Sequence, residues 1–184
     1  MPTFKAAIIV GSIRRDSVNK KLAQALVKLG APDLEFKVLQ IDDLPLYNQD
    51  NEGDLPPSVV RFKSEIADAD GILFVTPEHS RSIPTALKNA IDWGARPWGK
   101  NSWTGKLAAV TGTSPGAIST ALAQQHLRQI LGAQGVLLMG GESYIQFKPE
   151  LIGADGAIAD ASAKGFLQGF LNQFAALVAK IAAK

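Results

Sequence analysis

The sequence of 184 residues contains no cysteine, and this absence excludes several kinds of site. A chain without thiols cannot form a disulfide, a thiolate metal site or a cysteine nucleophile. It has only two histidines, His79 and His126, which are too few for a typical zinc site, so we expect no bound metal. The formal net charge is +2, which is too small to predict nucleic-acid binding from charge alone.

Long hydrophobic runs are also missing. No apolar stretch approaches the roughly 20 residues that a transmembrane helix needs, so we expect no membrane span. The opening residues, MPTFKAAIIVGS, lack the basic, apolar and small-residue order of a signal peptide. With 46% hydrophobic and 20% charged residues, the composition is that of an ordinary globular protein. We therefore expect a cytoplasmic protein with one domain over residues 1–184.

Predicted strands and helices alternate about five times along the chain. Apolar runs predict strands at 4–10, 34–41, 71–76, 106–112 and 135–140. Helical spacing of apolar residues predicts helices over 17–29, 57–68, 84–93, 116–131 and from 160 to the C-terminus. This alternation predicts an α/β fold, a doubly wound parallel sheet with helices on both faces. In such sheets, ligands bind beyond the carboxyl ends of the strands.

Three polar or breaker-rich loops follow predicted strands at that edge. We call them the first loop (11–19, GSIRRDSVN), the second loop (77–83, PEHSRSI) and the third loop (112–117, GTSPGA). Each loop has an ordinary structural explanation as well as a functional one. Their joint position at neighbouring strand ends favours a shared ligand site.

The first loop has the composition of a phosphate-binding loop. Gly11 permits a tight exit from the strand, Ser12, Ser17 and Asn19 offer polar donors, and Arg14 offers a guanidinium fork. The helix that follows would point its free N–H groups and the positive end of its dipole at the same place. Alternatively, Ser17 is only a helix N-cap and the arginines are solvated. The loop carries neither G-x-G-x-x-G nor G-x-x-x-x-G-K-[ST].

The second and third loops could border a planar heterocycle. In the second loop, the polar residues from Glu78 to Ser82 could line such a ring, or simply connect a strand to a helix. In the third loop, Ser114 and Pro115 predict an N-cap and first turn, after which Gly116 and Ala117 would present backbone N–H groups. Such donors suit an oxygen that gains negative charge. A capped helix without a ligand is the alternative.

The motifs resemble those of the NAD(P)H-dependent FMN reductases. GSIRRDSVNKKLA is similar to the family pattern G-S-x-R-x-x-S-x-N-x-x-L-A, and TPEHSRSIPTALKNAIDW is similar to T-P-E-Y-N-x-S-x-P-x-x-L-K-N-A-I-D-W. RPWGKNSWTGK and ESYIQF are similar to the branch that holds bacterial NAD(P)H:quinone and chromate reductases. The resemblance covers nearly the whole chain.

This resemblance implies a flavodoxin-like, three-layer fold with five parallel strands in the order 2-1-3-4-5, and non-covalently bound FMN. It implies dimers, or tetramers built from dimers, with the flavin near a subunit interface. The residues that it assigns to the ribityl phosphate are Ser12, Arg14, Ser17, Val18 and Asn19. Those that it places along the isoalloxazine and ribityl are Pro77, Glu78, His79, Ser80 and Ile83. Those that it places on the pyrimidine side are Ser114, Pro115, Gly116 and Ala117.

The chain departs from the family at one point of the second loop. His79 and Ser80 stand where the family usually has Tyr-Asn, so an aromatic wall and an amide are lost. We expect this difference to affect flavin affinity and substrate access more than the fold.

The function that the resemblance implies is ping-pong reduction of a quinone by NADH or NADPH through FMN, with chromate, azo compounds and ferric chelates as further acceptors. No catalytic side chain is expected, because the cofactor carries the chemistry. One alternative is a flavodoxin-like electron carrier, although such carriers are typically strongly acidic. Another is a flavin-binding regulatory module with a partner surface near Trp98 and Trp103. Phosphatases with a similar sheet are excluded, because they need a cysteine nucleophile.

Possible subunit contacts are also visible in the sequence. Trp98 and Trp103 could form a structural contact between subunits or border the active site. Arg128 and the segment 142–144 could join subunits in a tetramer, or they could be solvated surface.

Overall fold

A computed structural model describes residues 3–182, which form a parallel sheet flanked by helices. The strands are β1 (Phe4–Val10), β2 (Leu34–Leu39), β3 (Gly71–Val75), β4 (Leu107–Ser114), β5 (Leu137–Leu138) and β6 (Tyr144–Gln146). The α-helices are α1 (Val18–Leu29), α2 (Pro57–Asp68), α3 (Thr85–Ala95), α4 (Ala121–Ala133) and α5 (Ala161–Ala182). The last helix was predicted to reach the C-terminus, and residues 183 and 184 of that prediction lie outside the described residues.

The strand order is β2-β1-β3-β4-β5, and every pair is parallel. This confirms the predicted doubly wound, flavodoxin-like sheet. In the register of β1 and β3, Val10 lies opposite Val75, and Val75 in turn lies opposite Thr111 of β4. The first and second loops therefore leave the sheet side by side, and the third loop leaves a few residues farther along β4.

Alternate residues of the strands face opposite helical layers, as a parallel sheet buried on both sides requires. Ile9, Phe74 and Val110 pack with the core that contains α2, α3 and α4. Ile8 and Val75 pack with the core that contains α1 and α5. The predicted three-layer arrangement is confirmed.

The fifth strand differs from the prediction of a continuous strand over 135–140. Only Leu137–Leu138 pair with β4, and the strand is interrupted at Gly140 and Gly141. The chain then continues into β6, which pairs with the far end of β4. Arg128 explains the break, because its guanidinium donates to the carbonyl oxygens of Met139 (2.8 Å) and Gly141 (2.7 Å). A side chain satisfies carbonyls that a regular strand would have bonded to its neighbour.

The predicted start of the helix over 116–131 is wrong. The helix begins at Ala121, and Ser114 is the last residue of β4 rather than an N-cap. Between them the chain forms a compact turn in which Ser114 Oγ accepts from the Gly116 N–H and donates to the Ser119 carbonyl. Ser119 has a left-handed backbone (φ 51°), so the helix cannot extend back through this residue.

The expected subunit surfaces are partly buried inside the chain. Trp103 has no exposed surface and donates from Nε1 to the Ile91 carbonyl, so it cannot form the partner surface proposed for it, whereas Trp98 is 88% exposed. Ser143 is also buried and bonds to Thr111. Of the helices within residues 3–182, none combines the length and apolar composition that a membrane span needs.

Gly94 lets Trp103 pack directly against the backbone of α3. A Cβ atom on Gly94 would lie 2.4 Å from the indole ring, whereas one on Gly132, in the last turn of α4, would meet no atom within 4 Å. Because the interior is close-packed, the ring has no free space into which it can move.

We predict that Gly94→Ala lowers the free energy of unfolding by about 1–3 kcal/mol through overpacking. The matched variant Gly132→Ala should raise it by up to about 1 kcal/mol, because alanine has the better helix propensity. Urea unfolding of both variants measures the difference. Equal effects at the two glycines would contradict the packing argument.

Candidate functional site

A cleft of about 470 Å³ lies between the first and second loops, beyond the carboxyl ends of β1 and β3. Its lining residues are Gly11, Ser12, Ile13, Arg14, Ser17, Val18, Asn19, Pro77, His79, Pro84, Thr85 and Ala86. The structure therefore brings together all the predicted residues of the first loop, and two of those predicted in the second loop. Its volume is within the range of small-molecule and cofactor sites.

Gly11 allows the two loops to approach each other this closely. A Cβ atom on Gly11 would lie 3.0 Å from Leu87 Cδ2, 3.1 Å from Thr76 Oγ1 and 3.3 Å from Pro77 Cδ. The Gly11 N–H donates to the Val75 carbonyl (2.9 Å), which continues the pairing of β1 with β3 into the loop. A side chain at this position would therefore crowd the second loop and the first turn of α3.

The first loop ends at the N-terminus of α1, as predicted. Ser17 is the N-cap, and its Oγ accepts from the backbone N–H groups of Asn19 (3.2 Å) and Lys20 (3.3 Å). The Ser17 hydroxyl hydrogen is not used in either bond and can be donated to a ligand. Arg14 is exposed and, within residues 3–182, has no acidic partner at salt-bridge distance. This combination of donors suits an anion.

Asn19 fastens the first loop to β4. Its side-chain Nδ2 donates to the Thr113 carbonyl and its Oδ1 accepts from the Thr113 N–H, both at 2.9 Å. The residue is 1% exposed. Sequence reasoning treated this amide as a phosphate donor, whereas the structure uses it to hold the third loop beside the first.

The second loop is a tight hairpin, which the sequence did not predict. His79 and Ser82 exchange two backbone hydrogen bonds (2.9 and 2.8 Å) around Ser80 and Arg81, whose φ angles are 49° and 64°. Positive φ at both central residues is the pattern of a type I′ turn, which normally contains Asn or Gly. A left-handed residue with a side chain costs about 1–2 kcal/mol, so the turn needs support from its surroundings.

Three predicted residues of the second loop do not line the cleft. The carboxylate of Glu78 points to α4, where Oε2 accepts from the N–H groups of Leu122 and Ala123, both at 3.1 Å. Ile83 is buried in the core beneath α3. Ser80 is exposed at the tip of the hairpin.

The third loop lies outside the cleft wall. Pro115, Gly116 and Ala117 are exposed, and Ser114 is half-buried. Because the helix begins only at Ala121, the N–H groups of Gly116 and Ala117 are not at a helix N-terminus, which corrects the expectation for them. The Gly116 N–H is already bonded to Ser114 Oγ (3.3 Å), so Ala117 is left to serve as a donor.

The N-terminus of α3 also faces the cleft, and sequence reasoning did not assign it to the site. Pro84, Thr85 and Ala86 line the cleft, and α3 has no side-chain cap. The sequence did contain a signal for this, which is the proline at the start of the predicted helix. A helix that begins directly after a parallel strand has its N-terminus at the ligand-binding edge of the sheet. Two helix N-termini therefore point to one cleft, and both favour negative charge.

The long segment between β2 and α2 is held against α3 by an ion-pair network. The Glu52 carboxylate accepts from the Tyr47 hydroxyl and from Arg96 Nε, both at 2.6 Å. The bond from Tyr47 and the charge of Arg96 hold the pKa of the Glu52 carboxyl below its usual range. Asn89 and Trp93 of α3 each donate to the Pro45 carbonyl, at 2.9 and 2.7 Å. Residues 42–56 therefore form an ordered edge beside α3.

Among residues 3–182, no three His, Asp or Glu side chains are close enough together to hold a metal ion. The donors of the cleft are hydroxyl, guanidinium and backbone N–H groups, which bind anions rather than cations.

A family model described as NADPH-dependent FMN reductase matches residues 4–150. The chain belongs to the NADPH-dependent FMN reductase family. It is therefore an oxidoreductase, and the resemblance described from its motifs is confirmed. The family works with FMN and takes its electrons from a nicotinamide nucleotide.

Similar proteins cover almost the whole chain. A 2-hydroxy-1,4-benzoquinone reductase of Burkholderia sp is 49% identical over 95% of this chain and 96% of its own length. A quinone reductase of Pseudomonas putida is 44% identical over 95% of each chain. Among solved structures, FerB of Paracoccus denitrificans, a flavoenzyme NAD(P)H:(acceptor) oxidoreductase, is 48% identical with a TM-score of 0.93, covering 97% of this chain and 98% of its own.

We predict that the segment 42–56 loosens in acid because Glu52 titrates. A carboxyl whose pKa is lowered in the folded state stabilises that state above its unfolded pKa, and this contribution is lost as the pH falls through the folded value. The wild-type protein should therefore lose more stability between about pH 7 and about pH 3 than Glu52→Gln does.

The comparison is made by urea unfolding at each pH, together with limited proteolysis of the segment. Asp54→Asn is the matched control, because Asp54 is exposed in the same segment and has no ion pair within the described part of the chain. If Glu52→Gln and the wild type lose the same stability in acid, Glu52 does not hold the segment.

Proposed function

We propose that this protein is an FMN-dependent NAD(P)H:quinone oxidoreductase, with the whole chain as its cofactor-binding domain. The observation that carries the proposal is the cleft between the first and second loops, with an N-cap serine and an exposed arginine at one end. The named relatives that cover nearly the whole chain are quinone reductases, which supports a quinone as acceptor. The cytoplasm, where NADH and NADPH are supplied, is the compartment that we propose.

The residues of the cleft fit FMN. Ser12, Ser17 and Arg14 would hold the phosphate at the N-terminus of α1, where hydroxyl hydrogens, a guanidinium and a positive dipole end coincide. Gly11 lets the first and second loops lie close together, and the ribityl group would lie in the cleft that they line. Pro77 and His79 would border the ring, with the third loop from Ser114 to Ala117 on its pyrimidine side.

Ser12, Arg14 and Ser17 would hold FMN, and the bound cofactor would supply the two-electron redox chemistry between the nicotinamide and the quinone. The residues of the chain would position the cofactor and balance its charge. Arg14 would balance the phosphate charge, and the uncapped N–H groups of α3 would attract the electron-rich side of the ligand. The exposed turn of the third loop would contribute the Ala117 N–H. No side chain is required to move a proton during the hydride step.

We further propose that the protein is a dimer, or a tetramer of dimers. Several large apolar side chains remain exposed, and a second subunit would cover them. They are Leu46 at 76%, Trp98 at 88%, Ile118 at 49% and Leu122 at 38% exposure. Arg128, by contrast, uses its guanidinium on carbonyls of its own chain, so we give it no part in a subunit contact.

Anaerobic mixing tests the function. Purified protein loaded with FMN should lose its flavin absorbance when NADH or NADPH is added, and regain it with a benzoquinone. An electron carrier would be reduced poorly by the nicotinamides, and a regulatory module would turn over no quinone. A protein that binds no FMN, or whose flavin stays oxidised, would overturn the proposal.

We predict that Arg14→Ala weakens FMN binding by about ten- to a hundredfold, because it removes a charge-assisted bond to the phosphate. Binding of riboflavin, which has no phosphate, should change little. Fluorescence titration with both ligands gives the two dissociation constants. Arg15→Ala is the matched control, because Arg15 is an exposed neighbour that does not line the cleft. Equal losses for FMN and riboflavin would place Arg14 away from the phosphate.

A further inference from the structure

Glu78 connects the second loop to α4 from a nearly buried position. Its side chain is 8% exposed and uses both carboxylate oxygens, with Arg81 Nη1 bonded to Oε1 (3.0 Å). Oε2 takes the two N–H bonds of Leu122 and Ala123, in the first turn of α4. Thr120, the N-cap residue of α4, makes no side-chain capping bond. A residue more than 40 positions earlier therefore caps this helix.

The other end of the hairpin contacts the same helix. Ser82 Oγ lies 3.1 Å from Nδ1 of His126, which is about one turn beyond Leu122 on α4. The hairpin is therefore held on α4 at both of its ends, by Glu78 before the turn and by Ser82 after it. Between these contacts lie Ser80 and Arg81, the two residues with left-handed backbones.

We propose that Glu78 is a positioning residue, which holds the strained hairpin of the second loop in the shape that borders the cofactor. Its carboxylate fixes Arg81 on one side and the first turn of α4 on the other, so the left-handed turn is supported from outside. His79, which lines the cleft, belongs to this hairpin and would move with it. The proposal rests on the proposed function, because it assumes that the cofactor lies along the second loop.

The negative charge of Glu78 contributes to these contacts. A carboxylate at a helix N-terminus is favoured by the dipole and forms stronger bonds than a neutral amide. Gln in place of Glu78 keeps the acceptor oxygen and loses the charge, whereas Ala loses both. The two variants should therefore form a graded series if Glu78 acts through these bonds.

The experiment uses Glu78→Ala and Glu78→Gln saturated with FMN. Visible circular dichroism of the bound flavin reports the surroundings of the ring, and stopped-flow reduction by NADH gives the limiting rate. We expect Glu78→Ala to alter the visible spectrum and to slow reduction at least about tenfold, because small displacements of positioning groups cost large factors in rate. Glu78→Gln should lie between Glu78→Ala and the wild type.

Glu65→Gln is the matched control. Glu65 is a similarly covered carboxylate on α2, 17% exposed and paired with Arg61 and Lys37, but it lies away from the cleft. It should lower the melting temperature and leave the flavin spectrum and the rate unchanged. If Glu78→Ala also lowers only the melting temperature, Glu78 is merely a helix cap and the proposal is overturned.

Two further measurements cover failures of folding or of cofactor binding. If Glu78→Ala does not fold, Arg81→Ala removes the Oε1 contact alone and should still alter the visible spectrum. If the wild type takes up no FMN, the proposed function is overturned, but the role of Glu78 in holding the hairpin can still be tested. Hydrogen exchange at the His79 and Ser82 amides of the cofactor-free protein then tests the hairpin, with faster exchange expected in Glu78→Gln and unchanged exchange overturning the proposal.

Discussion

Parallel pairing of β1, β3 and β4 is the constraint on which the site depends. The backbone bonds continue past the strands, from the Gly11 N–H to the Val75 carbonyl and from the Thr76 N–H to the Thr111 carbonyl, both at 2.9 Å. Parallel strands leave a sheet at the same edge, so loops distant in sequence begin next to each other. Since Gly11 has no side chain, the first two loops can also touch. The cleft is therefore a direct consequence of the strand pairing and of the glycine at position 11.

Side-chain bonds then fix the loops that the sheet has brought together. Asn19 ties the first loop to the end of β4, and Glu78 ties the second loop to the first turn of α4. Each uses a polar side chain with little or no solvent exposure, where a hydrogen bond lost without replacement is expensive. The two loops that line the cleft are therefore each anchored to a neighbouring element. A ligand that bound there would meet groups already held in place, which lowers the entropic cost of binding.

Much of the fold could be predicted from apolar periodicity. The strands at 4–10 and 71–76 and the helix at 57–68 follow from local patterns, because each buries a continuous face or stripe. The division of the fifth strand could not be predicted, since it depends on Arg128 reaching carbonyls of a different element. The start of α4 was misplaced for the same kind of reason: its cap comes from Glu78, far away in the chain.

The sequence by itself determined the layer architecture, because apolar periodicity is a local property, and the family, because its motifs are long runs of matching residues. Only the tertiary structure decided what each polar side chain does. Asn19 and Glu78 look like ligand-binding residues in the motifs, yet their side chains hold β4 and α4. Ser80 and Arg81 carry no local signal for a left-handed turn. Hydrogen-bond partners are chosen by distance in space, and no local pattern records the residue that packing brings within reach.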